Sequence, residues 1–144
     1  MHLVPREGRN DLRFGSSYDD VLRVLGSPDS ETALHDFDSH PKGRRTLVYN
    51  DFSVTVASKL GVFGMSVHLS TDPLFLWDTC VNDLSVAEFE TLLLNHGAHT
   101  ETAPPTPYGA TDVYSADYGI LAYFGNDTMN HLELQLPNKC PTKY

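Results

Sequence analysis

Apolar and polar residues alternate along several short stretches of this chain, and the alternation predicts β-strands. In Phe52–Val56 the apolar side chains at positions 52, 54 and 56 fall on one face of an extended segment. Further strands are predicted at 46–49, 62–69, 113–114, 118–124 and 129–136. Turn residues separate these runs, so the pattern predicts two sets of three antiparallel strands joined by tight hairpins.

A short helix is predicted ahead of each set of strands. Ser17 is placed to cap the first helix, whose apolar positions follow helical spacing, and Gly26 supplies the left-handed residue that ends it. In the second half, Ser85 and Glu88 form the pattern of a capping box, and Gly97 is the predicted end. The two helices follow the same plan, which indicates an internal repeat.

The repeated order of elements predicts an α+β fold made of two tandem helix-plus-three-strand repeats. Repeat 1 covers residues 12–70, the connector covers 71–82, and repeat 2 covers 83–137. We expect antiparallel sheets with the helices packed on a sheet face. The connector contains the apolar run Leu74–Trp77, so it is expected to pack between the repeats and to fuse residues 1–144 into one domain.

The apolar phases of these elements also predict the hydrophobic core. Residues on the inward phase of a strand or a helix are expected to be mostly buried. They are Val21, Leu25, Phe52, Val54, Val56, Val67, Phe89, Leu93, Ile120, Tyr123 and Leu134.

The composition is typical of a folded globular protein without a membrane span. Hydrophobic residues make up 40% of the 144 residues, and no apolar run approaches the roughly 20 residues that a transmembrane helix needs. The first residues lack the apolar stretch of a signal peptide, which predicts a cytoplasmic location. Cys80 and Cys140 have no metal-site spacing and are too few for a disulfide framework, so both are predicted to be free thiols.

Charge is distributed unevenly along the chain. The formal net charge is -9, and the segment from Leu60 to Asn138 contains ten acidic residues and no lysine or arginine, whereas residues 1–59 hold nine acids and eight bases. A negative surface repels nucleic acid and anionic membranes and attracts basic proteins. The pattern therefore predicts a protein partner and neither nucleic acid nor membrane. A surface kept negative only for solubility is the alternative interpretation.

The sequence offers no clear set of catalytic or metal-binding residues. The segment His35–His40 lies in a predicted loop, and Gly97 ends the helix between His96 and His99, so neither group has the rigid support of a tetrahedral metal site. His68 and His131 lie on predicted strands and are expected to face solvent. Neither a nucleophile motif of the form G-x-S-x-G nor a phosphate-binding glycine-rich loop is present. We therefore predict no enzyme activity, no metal and no cofactor.

The segment Leu12–Asp29, LRFGSSYDDVLRVLGSPD, resembles the opening of small bacterial immunity proteins that neutralise polymorphic or contact-dependent toxins. The segments Asp72–Trp77 and Leu84–Phe89 resemble the second half of those chains. The layout is also similar to the tandem-repeat architecture of the β-lactamase inhibitor protein and of outer-membrane lipoprotein assembly modules. The secreted inhibitors carry a disulfide in each repeat and an export signal, which are not found in this sequence. The resemblance implies a cytoplasmic immunity protein, monomeric when free, that binds a toxin domain.

The predicted partner-binding surface lies in the acidic half of the chain. Acidic residues in loops can reach a partner, and large aromatic side chains often dominate interface energy. The predicted contact residues are Asp72, Trp77, Asp78, Tyr108, Asp112, Asp117, Tyr118 and Asp127. We expect them to bind a basic toxin protein, with a nuclease as one candidate. Two alternatives stay open: Trp77 could instead be buried between the repeats, and the chain could instead be a small-ligand or metal-binding accessory domain or a subunit of a larger assembly.

Overall fold

The computed structural model describes residues 1–137, which form thirteen β-strands and two short α-helices. The helices are α1 (Tyr18–Leu25) and α2 (Val86–Asn95). The strands are β1 (His2–Val4), β2 (Gly8–Arg9), β3 (Leu12–Arg13), β4 (Ser30–Ala33), β5 (Arg45–Tyr49), β6 (Phe52–Ala57), β7 (Gly61–His68), β8 (Phe75–Leu76), β9 (Thr79–Cys80), β10 (Glu101–Thr102), β11 (Ala110–Ser115), β12 (Ile120–Gly125) and β13 (Thr128–Gln135).

Eight of the strands form one antiparallel sheet in the order β10-β11-β12-β13-β7-β6-β5-β4. Strands β4–β7 follow α1 in the chain, and β10–β13 follow α2, so each helix is followed by a series of four hairpin-connected strands. The two series join where β13 pairs with β7, with Leu132 opposite Val67 and Leu134 opposite Met65. The centre of the sheet is therefore built from the last strand of each series.

A smaller sheet of five strands has the order β3-β2-β1-β8-β9. Its centre is a parallel pair between the N-terminal strand β1 and the connector strand β8, with Leu3 opposite Leu76. Leu76 is fully buried. The connector is thus an ordered part of a sheet, and it is held there by the N-terminal segment.

The predicted α+β class is wrong, because the described residues are mostly β-structure with only two short helices. The balanced helix-plus-three-strand repeats are not found. Strands β4 and β10 lie in segments where no strand was predicted. Five strands have only two residues, which is too short for a period-two pattern. The parallel pairing of β1 with β8 also joins segments that are distant in the chain, so local patterns could not predict it.

The ends of the helices agree with the sequence prediction. Ser17 Oγ accepts a hydrogen bond from the Asp20 amide, and the Asp20 carboxylate accepts one from the Ser17 amide. Ser85 and Glu88 form the same reciprocal pair at the start of α2. These capping boxes satisfy amides that the first helical turn leaves unpaired. Gly26 ends α1 with a φ of 79°, in the region that favours glycine.

The hydrophobic core lies between one face of the large sheet and the layer formed by the helices and the small sheet. The Phe89 ring of α2 lies 5.7 Å from the Phe124 ring of β12, and Leu3, Leu12 and Leu76 of the small sheet belong to the same buried cluster. Nine of the predicted core residues are buried. The residues confirmed as buried are Val21, Phe52, Val54, Val56, Val67, Phe89, Leu93, Ile120 and Leu134.

One core prediction is wrong, since Tyr123 is only half-buried and lies outside the core cluster, whereas Leu25 is partly buried and packs against that cluster. In β12 the inward positions are Ile120, Ala122 and Phe124, so Tyr123 points to the opposite face of the sheet.

Cys80 is an exposed free thiol, as predicted, and Cys140 lies outside the described residues. Neither described helix has the length and apolar character needed to cross a membrane.

Candidate functional site

The two faces of the large sheet have different surroundings. The helices and the small sheet pack on one face, and the other face carries side chains that remain in contact with solvent. We call this second surface the open face. It comprises Ser30, Thr46, Val48, Ser53, Thr55, Ser66, His68, Glu101, Asp112, Tyr114, Leu121, Tyr123, His131, Glu133 and Gln135, which are half-buried or exposed. Polar side chains predominate, as expected for the solvated face of an antiparallel sheet.

Strand register places the open-face residues in rows that cross the sheet, because directly paired residues in antiparallel strands share a face. One row crosses all eight strands. In order from β10 to β4 it contains Glu101, Tyr114, Leu121, Glu133, Ser66, Ser53, Val48 and Ser30. At 4.7–4.9 Å between strands, this row spans about 34 Å. The open face is therefore wide enough to contact a protein surface.

Two grooves lie on the open face. The first has a volume of about 300 Å³ at the β10–β12 end, where Glu101 and Asp112 lie beside the rings of Tyr114 and Tyr123, with Leu121 between them. The groove thus combines carboxylates with aromatic and apolar surface.

The second groove, of about 190 Å³, lies at the centre of the sheet and includes Thr46, Thr55 and Gly64. Gly64 has no side chain on β7, which leaves a depression between β6 and β13. The hydroxyl oxygens of Thr46 and Thr55 lie 3.3 Å apart beside it.

A polar cluster joins β7 and β13 at the middle of the open face. The Nδ1 atoms of His68 and His131 are 3.2 Å apart. The other ring nitrogen of His131, Nε2, lies 3.1 Å from Glu133 Oε1 and 3.3 Å from Ser66 Oγ. A serine-histidine-acid triad needs the hydroxyl and the carboxylate on opposite ring nitrogens. Here both lie at Nε2, so the cluster does not have the arrangement of this triad.

The open face has a negative electrostatic character near this cluster. Partial burial raises the pKa of Tyr123 above its ordinary value, and the neighbouring charges of Glu133 and Asp112 raise it further. Negative charges raise the pKa of a phenol because they disfavour the phenolate. A cation at this position would be stabilised by the same charges.

Among the residues predicted to contact a partner, only Asp112 belongs to the open face. Trp77 and Tyr118 instead meet in an aromatic cluster at one end of the molecule. The Trp77 ring is stacked on His96 with centroids 4.0 Å apart, and Tyr118 lies edge-on at 5.7 Å. The Arg6 guanidinium lies 3.9 Å from the Tyr118 ring centroid. Trp77 is half-buried, so much of its surface is used within the fold.

Two of the predicted aspartates make hydrogen bonds that support the fold. The Asp117 carboxylate accepts a hydrogen bond from Ser115 Oγ at 2.6 Å and from the His99 amide at 3.1 Å. Asp127 Oδ1 accepts one from the Val86 amide at 2.9 Å, at the start of α2. Both side chains are exposed, Asp117 in the turn between β11 and β12 and Asp127 in the turn between β12 and β13, but their carboxylates already have partners within the protein.

The remaining predicted residues lie apart from one another. Asp78, whose side chain is 94% exposed, lies in the turn between β8 and β9, where its carboxylate is 3.7 Å from His2 Nδ1. Tyr108 is 91% exposed in the loop between β10 and β11. Asp72 is exposed in the connector, beside a cavity of about 450 Å³ that Leu69 also lines. The structure thus divides the predicted surface into several separate groups.

Sequence reasoning missed most of the central cluster. It placed His68 and His131 on strands facing away from the core, and both do so. It could not place them side by side, because their contact depends on the register between β7 and β13. Ser66 and Glu133 were missed for the same reason. The period-two alternation of each strand is the one signal that indicates their face.

No protein family model, no curated protein and no solved structure matches this chain. The functional assignment therefore depends on the geometry and the charge of the open face.

Proposed function

We propose that this chain binds and neutralises a basic partner protein through the open face of its large sheet. The observation that carries the proposal is the charge of the neighbouring strands β7 and β10–β13, which contain no lysine or arginine. Glu101 and Asp112 lie at the outer end of this region, in the first groove. A surface of one sign favours encounter with a surface of the opposite sign and disfavours partners of like charge.

The dimensions of the open face support a protein partner. The face is eight strands wide, and each long strand contributes five to eight residues to its length. The product of this width and length is an area of roughly 700 Å². A stable protein interface uses about 800 Å² on each partner. A small molecule would occupy only a single groove, whereas a protein could contact the whole row from Glu101 to Ser30.

The side chains of the open face also suit protein recognition. Tyr114 and Tyr123 line the first groove with Glu101 and Asp112, and tyrosine is enriched at interfaces because its ring packs while its hydroxyl hydrogen-bonds. An extended arginine or lysine side chain could enter this groove, pack along the rings and approach the carboxylates. A basic side chain of the partner is therefore the expected central contact.

The resemblance of Leu12–Asp29 to bacterial immunity proteins makes a toxin domain the specific partner to test. Toxins that act on nucleic acid present basic surfaces to their substrate, and an acidic protein that covers such a surface would block it. Under this proposal the chain acts in the cytoplasm, where it meets a toxin that has entered the cell. It has no catalytic role.

The test measures association with a purified basic toxin domain, chosen from a toxin gene adjacent to the gene for this chain where one is found. We expect the association rate of the wild-type chain to fall steeply as salt is raised from 50 to 500 mM. The double variant Glu101→Gln/Asp112→Asn should associate about 3–10-fold more slowly at low salt, because it loses two charges from the open face. The matched control is Asp38→Asn/Asp83→Asn, which removes two exposed charges elsewhere and should change the rate less than about twofold.

Equal rates for the two double variants would contradict the assignment of the interface to the open face. A toxin that binds at a rate independent of salt would contradict the electrostatic basis of the proposal. Inhibition of toxin activity by the wild-type chain, measured in the same samples, separates neutralisation from simple binding.

A further inference from the structure

The pair formed by His68 and His131 lies on the two central strands of the open face, where β7 ends. The two residues are direct partners in the register between β7 and β13. Their ring centroids are 4.4 Å apart, and their Nδ1 atoms approach to 3.2 Å. Two imidazoles facing each other through the same type of nitrogen can share only one proton in a hydrogen bond, so at least one of these nitrogens presents a lone pair.

The surroundings of His131 determine which nitrogen carries its proton. Glu133 Oε1 lies 3.1 Å from His131 Nε2, and a carboxylate accepts hydrogen bonds only. It therefore favours the tautomer with the proton on Nε2, which leaves the lone pair of Nδ1 directed at His68. The side chains of His131 and Glu133 are only 16% and 20% exposed, so packing restricts the orientation of both.

We propose that His68 and His131 bind a zinc ion between their Nδ1 atoms. Two nitrogens that are each 2.0–2.1 Å from a tetrahedral zinc lie about 3.3–3.4 Å apart. The observed Nδ1 separation of 3.2 Å is close to this value, and the two rings, whose centroids are 4.4 Å apart, must turn so that both lone pairs point at the ion. The strands that carry the two rings are paired at the centre of the large sheet, which provides the rigid support that a metal site requires.

Glu133 has the position of a supporting carboxylate for this site. Histidines that bind metals commonly donate their second N–H to a carboxylate, which orients the ring and increases its basicity. Glu133 makes this contact with His131. Asp112 on β11 and Tyr123 on β12 lie on the same side of the sheet, and the Tyr123 ring is 5.4 Å from the His131 ring. The nearby carboxylates add negative charge that favours a cation.

The two histidines supply two ligands, and water or a group from a bound partner completes the tetrahedron. No group of three or more histidine, cysteine, aspartate or glutamate side chains is arranged to hold a metal in the described part of the chain. The affinity is therefore expected to be lower than that of a closed structural zinc site.

Zinc chloride is the probe, titrated by calorimetry into the full-length chain at pH 7.5. We expect one zinc ion per chain for the wild type. His68→Asn and His131→Asn should each weaken binding at least tenfold, and Glu133→Gln should weaken it about tenfold through its supporting contact. The matched controls are His35→Asn and His99→Asn, whose side chains are exposed and which should bind zinc as the wild type does. Circular dichroism of each variant verifies that it is folded.

Nitrogen chemical shifts of the histidine rings provide a second measurement. Zinc should shift the Nδ1 signals of His68 and His131 and leave both rings with their proton on Nε2. Unchanged affinity in both His68→Asn and His131→Asn, or coordination through Nε2, would overturn the proposed site. Unchanged affinity in Glu133→Gln would overturn the role given to the carboxylate. None of these measurements involves the toxin, so the zinc site and the proposed function can fail separately.

Discussion

Asp117 has a defined structural role at the hairpin between β11 and β12. Burial alone would oppose its ionisation. Hydrogen bonds from Ser115, the His99 amide and its own amide, together with the charge of Arg6, outweigh this effect and lower the pKa of the Asp117 carboxyl below its ordinary value. The carboxylate links the hairpin to the segment that follows α2, so its charge state is coupled to stability.

Changing Asp117 to Asn should remove this coupling. The folded-state pKa is lowered, so the stabilisation by Asp117 is present above the unfolded pKa near 3.9 and is lost as the pH falls through the lower folded value. The free energy of unfolding of Asp117→Asn should be roughly 0.5–1 kcal/mol below that of the wild type at pH 7, a value kept small because the side chain is partly screened by solvent. Urea unfolding at pH 7 and pH 3 tests this. A difference that stays the same at both pH values would show that the ionised carboxylate is not its source.

Individual residues differ in how well the sequence predicts their place. Alternation places Phe52, Val54 and Val56 correctly, because polar residues separate them. The run from Ile120 to Phe124 is apolar at every position, so no alternation of polar and apolar residues shows which side chains face the core. Tyr123 was therefore assigned to the wrong face. The contact between His68 and the next series of strands depends on long-range register, which no local pattern contains.

At the scale of elements, the first turn of helix α2 donates a hydrogen bond to the turn between β12 and β13. Asp127 lies in the turn between β12 and β13 and accepts a hydrogen bond from the Val86 amide, while Ser85 caps the Glu88 amide. Two of the amides left unpaired by the first turn are thus satisfied by side chains. The turn and the helix are therefore linked directly.

Substitutions at Asp127 should separate this link from the effect of charge. Asp127→Ala loses the acceptor, and alanine is also disfavoured at the φ of 62° found here, so we expect a destabilisation of about 1–2 kcal/mol. Asp127→Asn keeps an acceptor oxygen and tolerates the left-handed conformation, so it should cost less than about half as much. Thermal unfolding of both variants measures the difference. Equal losses in the two variants would assign the effect to the negative charge.

The elements themselves were predictable where they are long or capped. Both helices were found because their capping residues are local signals, and the six longer strands of the hairpins were found by their apolar runs. Strand β10 has exposed side chains and is held by backbone pairing with β11. Its sequence therefore contains no apolar pattern that would predict a strand. The small sheet needs the N-terminal strand to meet the connector, and no single segment of the sequence carries that information.

At the scale of the whole molecule, the seam between β7 and β13 joins the two series of strands. Leu132 of β13 is fully buried opposite Val67 of β7, and residues from both series belong to one hydrophobic cluster. The zinc site proposed above lies on the other side of the same seam. A destabilising substitution at this seam should therefore lower the stability of both series of strands.

Leu132→Ala should lower the free energy of unfolding by roughly 2–4 kcal/mol, because it leaves a cavity at the centre of the core. Leu94→Ala is the matched control: Leu94 is 60% exposed, and its loss should stay within about 0.5 kcal/mol. If the two series unfold as one cooperative unit, Leu132→Ala should reduce the hydrogen-exchange protection of amides in β5 and β6 by the same free energy as in β11 and β12. Reduced protection confined to β11 and β12 would show instead that each series of strands is a separate folding unit, and that the open face is assembled from two independently stable halves.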